Sequence, residues 1–169
     1  MKNTPIETER KFLIAYPDTD FLRRQSGCRV LSIEQIYLSA PRASTRRIRR
    51  TEEEGTVRFW FTEKRKLTAM SAFEDEREIT AAEYETLRAE AEPACRPILK
   101  TRYALPHGAL TAEIDVYPFW VDRAILEVEL PGESAELTLP EYVRLIREVT
   151  EDFRYKNRAL AQSVPMDPL

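Results

Sequence analysis

Polar and apolar residues alternate along most of this chain, and the alternation predicts β-strands rather than long helices. Side chains of a strand point alternately to opposite faces, so Glu7, Glu9 and Lys11 share one face of the segment 6–12. Phe12 lies on the other face. Two carboxylates and an ammonium group suit an apolar core poorly. They are well suited to holding a hard cation beside an anion.

The same pattern, broken by turn residues, predicts the order of elements. Eight strands are expected, at 5–13, 33–39, 45–51, 56–64, 72–79, 97–104, 110–117 and 124–130. Short connections favour antiparallel neighbours. Helices are expected at 18–25, 80–91, 140–149 and 155–163. This order predicts a single α+β, mainly β domain over residues 1–169, built as a barrel with helices packed outside.

Two of these helices carry specific signals. Residues 80–91 open with Thr80 and Glu83 at the spacing of a capping box. The segment 140–149 opens with Pro140, which suits the first turn of a helix. It also has an apolar stripe at helical spacing, made of Tyr142, Val143, Ile146 and Val149.

The charged residues on the strands are sorted by sign. Some strands place only bases in same-face pairs: Arg47 with Arg49, and Lys100 with Arg102. Other strands place only acids in such pairs: Glu74 with Glu76, Glu113 with Asp115, and Glu127 with Glu129. A solvated sheet face also alternates polar and apolar residues, but it does not sort them by sign. Like charges repel at short range, so each pair predicts a partner of opposite charge.

If these faces meet inside a barrel, the chemistry is that of a metal–polyphosphate site. Mg²⁺ and Mn²⁺ prefer carboxylate and water oxygens. Arg binds phosphate oxygens in a bidentate way, and Lys acts as a compact point charge. Phosphoryl transfer needs chiefly positioning and neutralisation of the phosphate charge.

The amino-acid composition further narrows the classes of function that the chain can have. The net charge of −3 combines a basic first third with an acidic remainder. The chain has only four glycines and no glycine-rich phosphate loop, so side chains must bind any phosphate. Cys28 and Cys95 show no metal or disulfide spacing, which favours reduced thiols and a cytoplasmic protein. No apolar run is long enough to span a membrane.

Residues 7–11 (ETERK) resemble the ExExK signature of CYTH-domain proteins, the triphosphate tunnel metalloenzymes, which include bacterial inorganic triphosphatases. Further segments match the family's motifs in the same order along nearly the whole chain: the paired-Arg strand at 45–49, Thr-x-Lys at 61–64, the central ExE at 74–79, Lys-x-Arg at 100–103, the acidic seventh strand at 113–115, the closing ExE at 127–129 and the C-terminal stretch at 148–157.

The resemblance implies a closed, eight-stranded antiparallel tunnel with a C-terminal plug helix. It also implies that a triphosphate is bound and hydrolysed with Mg²⁺ or Mn²⁺. The implied metal ligands are Glu7, Glu9, Glu127 and Glu129. The implied phosphate-binding residues are Lys11, Arg47, Arg49, Lys64, Lys100 and Arg102. The implied catalytic residues, for a second metal, the attacking water or contact from the plug, are Glu74, Glu76, Asp115 and Lys156.

This chain departs from the family pattern in two places. Ala72 stands where the family often has Arg, so that phosphate contact is either missing or supplied by Arg58 or Lys66. Alternatively, the strand is shifted by two residues so that Glu76 and Glu78 point inward. Residues 119–123 (FWVDR) replace a stretch that is usually glycine-containing, at an expected tunnel mouth.

Inorganic tripolyphosphate is the favoured substrate, because the chain has no appended domain for a bulky organic group. The alternatives are a class IV adenylyl cyclase, a thiamine triphosphatase, a nucleoside triphosphatase and a polyphosphate-binding sensor. The arginines at 42–50 lack an accompanying pattern of stacking aromatics, which disfavours specific nucleic-acid binding. The sequence is compatible with a homodimer.

Overall fold

The structure is a computed structural model that describes residues 6–169. These residues form nine strands, which are β1 (Ile6–Ala15), β2 (Arg29–Leu38), β3 (Ser44–Glu53), β4 (Thr56–Lys66), β5 (Ser71–Ile79), β6 (Ile98–His107), β7 (Leu110–Val116), β8 (Arg123–Glu129) and β9 (Leu145–Glu148). Three helices join them, α1 (Thr19–Arg24), α2 (Ala81–Arg88) and α3 (Asn157–Gln162).

Eight of the strands close into a barrel, as predicted. Around the ring they follow the order β1, β5, β4, β3, β2, β6, β7, β8, and every pair is antiparallel. The first strand closes the ring because one of its edges pairs with β5 and the other with β8. Glu7 pairs with Ala72 of β5, and Glu9 pairs with Glu129 of β8.

The predicted helix at 140–149 is wrong, because Leu145–Glu148 forms β9. Strand β5 pairs only with the first part of β1, so the far edge of β1 around Phe12–Ile14 is left without that neighbour. Strand β9 pairs with this edge in an antiparallel ladder. Backbone groups in a buried strand need hydrogen-bond partners, and this need overrides the helical spacing of the apolar residues.

The other predicted helices are confirmed, with shorter bounds. The Asp18 side chain accepts a hydrogen bond from the Phe21 N–H at the start of α1. Thr80 and Glu83 form the reciprocal capping box of α2. A 3₁₀ turn at Phe153–Tyr155 precedes α3.

Apolar clusters cover two outer faces of the barrel. Leu126 and Val128 of β8 are fully buried under Leu22 of α1 and residues from the 135–143 segment. On the opposite side, Ile48 of β3 packs under Tyr84 of α2. Both helices therefore lie outside the barrel, as predicted.

A third apolar cluster closes one end of the interior. Leu13 pairs with Ile125, and both lie on the same inner face as Lys11 and its partner Glu127. These side chains pack with Tyr155 and Leu160, which the C-terminal segment brings to this end of the barrel. The 3₁₀ turn and α3 thus form the expected plug.

Among residues 6–169, no helix combines the length and apolar character needed to span a bilayer.

Candidate active site

The interior of the barrel holds a cavity of about 550 Å³. Cross-strand neighbours point to the same side of a sheet, so the register sends the charged faces of the strands inward together. Every side chain that the sequence predicts for the site lines this cavity, except that of Asp115. Glu74 and Glu76 both face inward, opposite Lys64 and Thr62, so the central ExE has the unshifted register.

A larger depression of about 960 Å³ lies on the outside of the barrel, between Tyr84 and Val121. Of the predicted site residues, only Lys100 borders it. The inner cavity is the better candidate because acids and bases converge there from seven strands.

Glu9 and Glu129 place two carboxylates next to each other on the inner face. Burial and the charges of Glu7 and Glu9 raise the pKa of Glu129 above its ordinary value. Glu7 also has a raised pKa, chiefly through burial, although Lys64 opposes this. The structure thus brings the carboxylates of Glu7, Glu9 and Glu129 together at one part of the cavity wall, which we call the acidic wall.

Two strand positions further in, Lys11 pairs with Glu127. Their Nζ and Oε1 atoms lie 2.7 Å apart, and both side chains are almost completely buried. Burial alone would raise the pKa of Glu127, but Lys11, Lys100 and Arg102 hold it well below its ordinary value. Glu127 therefore stays ionised inside the barrel.

Asp115 lies behind the cavity wall, with no exposed surface, and orients two bases. Its Oδ1 accepts from Arg102 Nε at 2.7 Å, and its Oδ2 accepts from Lys100 Nζ at 2.5 Å. Burial and the neighbouring Arg102 lower the pKa of Lys100 to about 8. Arg102 also bonds Glu113 and Glu127, so one guanidinium connects three carboxylates.

The opposite side of the cavity repeats this pairing with more access to solvent. Lys64 bonds both Glu7 and Glu74, and the latter contact is 2.5 Å long. Arg49 donates to Glu76 at 2.7 Å. The side chains of these pairs keep between 14% and 29% of their surface exposed, so a ligand can reach them more easily than Lys11 or Lys100.

Lys156 enters the cavity from the plug, as predicted. Its Nζ lies 3.8 Å from Glu9 Oε1 and donates to the Ala69 carbonyl at 3.5 Å. Burial and the nearby Lys11 lower its pKa. Lys156 is therefore held only loosely, beside the carboxylate of Glu9.

The two departures from the family pattern have different outcomes. Lys66 pairs with Ala72 across β4 and β5 and lines the cavity. It therefore stands beside the position where the family often has an arginine. Residues 119–123 do not border the cavity. Trp120 is buried instead against Tyr117 and Phe119, near the plug.

Some cavity residues gave little signal in the sequence. Tyr37 lies on a strand that carries no charge pair, although its ring is buried against the cavity. Thr150 and Asn157 also line the cavity, although both are uncharged and follow the strands that carry the charge pairs. The sequence pattern places Glu113 and Asp115 on the same face of β7. Of this pair, Glu113 lines the cavity.

The donor set of the acidic wall fits a hard divalent cation. Glu7, Glu9 and Glu129 offer only carboxylate oxygens, which are the ligands that Mg²⁺ and Mn²⁺ prefer. Within residues 6–169, no three acidic, histidine or cysteine side chains already converge on one point. Glu7 is instead bonded to Lys64, and Glu127 to Lys11.

The known proteins that resemble this chain include inorganic triphosphatases. No protein-family model matches the chain. The chain is 35% identical over 163 residues to an inorganic triphosphatase from Nitrosomonas europaea, which covers 94% of this chain and 99% of that protein. It superposes on the crystal structure of the inorganic triphosphatase NE1496 with a TM-score of 0.56 and 32% identity, over 94% and 96% of the two chains. A putative adenylyl cyclase from Hippeastrum, HpAC1, shares the fold, with a TM-score of 0.51 and 15% identity over 75% of this chain and 80% of that one.

Proposed function

Since the chain belongs to the CYTH family of triphosphate tunnel metalloenzymes, we propose that it hydrolyses inorganic tripolyphosphate to pyrophosphate and phosphate with the help of a divalent metal. The observation that carries this proposal is the cavity itself. It brings Arg47, Arg49 and Lys64 together with Glu7 and Glu129 in one space of about 550 Å³.

The bases of the cavity bind the phosphate oxygens. Arg47, Arg49 and Lys64 lie on the more accessible side, and Lys11, Lys100 and Arg102 lie on the buried side. Five of these bases are already bonded to a carboxylate, and Arg47 lies 4.0 Å from Glu74, so their positions are largely set before the substrate arrives, which lowers the cost of ordering them.

The acids hold the cation and orient water. We assign Glu7, Glu9, Glu127 and Glu129 as ligands, with Glu127 joining them by releasing Lys11. A bound Mg²⁺ or Mn²⁺ would supply positive charge to the phosphate oxygens and lower the pKa of a bound water. Glu74 and Glu76 are the acids best placed to orient the attacking water, and Asp115 holds Arg102 and Lys100 in position. Lys156 would donate to the departing phosphate.

We place this activity in the cytoplasm, because Cys28 and Cys95 are both free thiols and the reducing cytosol keeps thiols in that state.

Product analysis tests the proposal. The purified protein is incubated with tripolyphosphate, ATP or thiamine triphosphate, each with Mg²⁺ or Mn²⁺, and phosphate, pyrophosphate and cyclic AMP are measured. We expect phosphate and pyrophosphate from tripolyphosphate in preference to the organic substrates. Cyclic AMP from ATP would establish a cyclase instead, and binding of tripolyphosphate without turnover would establish a sensor.

A further inference from the structure

The loop between β4 and β5, residues 67–70, forms part of the cavity wall at its mouth. Thr68, Ala69 and Met70 all line the cavity, together with Ser71 at the start of β5. The loop also contacts two residues of the proposed site. The Met70 carbonyl accepts from the Glu9 N–H at 3.0 Å, and the Ala69 carbonyl accepts from Lys156 Nζ.

A carboxylate outside the cavity fixes this loop. Glu133 lies in the connection between β8 and β9 and does not line the cavity. Its Oε1 accepts hydrogen bonds from the Thr68 hydroxyl and, at 2.7 Å, from the Ser71 hydroxyl. These two bonds lower the pKa of Glu133, so the group stays ionised at neutral pH.

The hydroxyls that Glu133 holds also organise the loop backbone. Thr68 Oγ1 accepts from the N–H groups of Met70 and Ser71, at 3.1 and 2.9 Å. Ser71 Oγ in turn lies 2.8 Å from the Thr8 hydroxyl of β1, and both of those residues are buried. One exposed carboxylate is therefore linked through two hydroxyls to the strand that carries Glu7 and Glu9.

We propose that Glu133 is a positioning residue for the reaction: it fixes the 67–70 loop, and through Ala69 and Met70 it holds Lys156 and Glu9 in place at the mouth of the cavity. Glu133 itself does not touch the substrate. The inference rests on the proposed function, since it assigns Lys156 and Glu9 their roles in that reaction.

Kinetics with three variants test the proposal. Glu133→Ala removes the acceptor, and Glu133→Gln keeps an acceptor oxygen but removes the charge. Glu136→Ala is the matched control, because Glu136 is an exposed glutamate in the same connection. We expect Glu133→Ala to lower kcat for tripolyphosphate by about three- to tenfold, the range of one or two modest hydrogen bonds. KM should change less, because none of the six proposed phosphate-binding bases belongs to the 67–70 loop.

Glu133→Gln should recover most of the lost kcat, and Glu136→Ala should behave as the wild type. Equal kcat values in Glu133→Ala and Glu136→Ala would overturn the proposal. So would a loss in Glu133→Gln as large as in Glu133→Ala, because the amide oxygen still accepts both hydroxyl bonds.

Hydrogen exchange separates this proposal from the proposed function. The N–H groups of Leu67, Thr68, Met70 and Ser71 are bonded within the loop. Their exchange should accelerate by about three- to tenfold in Glu133→Ala and remain unchanged in Glu136→Ala. This result requires no turnover, so it stands even if tripolyphosphate is not the substrate. Unchanged exchange in Glu133→Ala would show that Glu133 does not fix the loop.

Discussion

Glu9 and Glu129 face each other across β1 and β8, so two carboxylates emerge side by side inside the barrel. The two like charges repel each other, and it is the register of the paired strands that places them side by side. A sequence that only had to fill a core would not place like charges at paired positions. The arrangement is consistent with a cation between them.

The first prediction concerns these two acids. Glu9→Gln and Glu129→Gln should each lower metal-dependent release of phosphate by about 100-fold or more, because the developing charge on the phosphate loses its cation. Far-ultraviolet circular dichroism should remain that of the wild type. Asp75→Asn, on the outer face of β5, is the matched control and should retain full activity. Normal activity in both inner variants would rule out the proposed ligand set.

The second prediction is a pH dependence of stability without divalent metal. The pKa of Glu129 is raised in the folded protein. Between its ordinary and raised values, the folded protein retains a proton that the unfolded chain has released, so the free energy of unfolding falls as pH rises. Urea titrations across this window should show the fall in the wild type and a smaller fall in Glu129→Gln. An equal slope in both proteins would contradict the prediction.

The third prediction compares a buried ion pair with an exposed one on the same strand. Lys11→Met leaves the buried negative charge of Glu127 balanced only by Lys100 and Arg102. The substitution should lower the free energy of unfolding by about 3–5 kcal/mol. Arg10→Met, which removes the exposed pair with Glu148, should cost no more than about 1 kcal/mol. Adding Glu127→Gln to Lys11→Met should restore part of the loss. If denaturant unfolding gives equal losses for Lys11→Met and Arg10→Met, the buried pair has no special role.

The fourth prediction concerns substrate binding. Arg49→Ala should raise the KM for tripolyphosphate by about 10- to 100-fold, since a charge-assisted contact to phosphate is lost. Arg50 follows it in sequence but points to the outer face of β3, so Arg50→Ala should leave KM unchanged. Steady-state kinetics of both variants decide the matter, and similar KM values would remove Arg49 from the binding site.

The fifth prediction concerns Lys100, whose pKa is lowered to about 8. Above this pH the ammonium loses its proton, so KM for tripolyphosphate should rise as pH passes through about 8. In Lys100→Met this rise should be absent. Lys66→Met is the control, because Lys66 is exposed at the cavity wall, and its KM should keep the wild-type pH dependence. A wild-type KM that stays flat from pH 7 to 9 would contradict the assignment.

The sequence predicted the strands well because their signal is local. A period of two and the sorting of charges by sign are both visible within seven residues, and they place Glu7, Glu9 and Lys11 on the correct face. The error at 140–149 has a different origin. The partner of Leu145–Glu148 is an edge of β1 more than 130 positions earlier in the chain, and no local pattern reports a missing neighbour.

The sequence also left the pairing of charges undetermined. It indicated that acids and bases would meet, but not that Asp115 would be withdrawn behind Lys100 and Arg102. It gave no sign of the role of Glu133, because an exposed glutamate in a connection resembles any other. Such features depend on register and on how loops fold back, which arise only when the barrel closes.

The position of β1 has a consequence for how the protein is made. This strand is synthesised before all of its partners, which are β5, β8 and β9, the last of which ends at Glu148. During translation, β1 therefore has no complete set of neighbours until β9 has left the ribosome. Pairings so distant in sequence form slowly, and an unpaired strand edge is prone to association with other chains. The side chains of Glu7, Glu9 and Lys11 oppose such association, because charged side chains, lysine above all, discourage pairing between exposed strand edges.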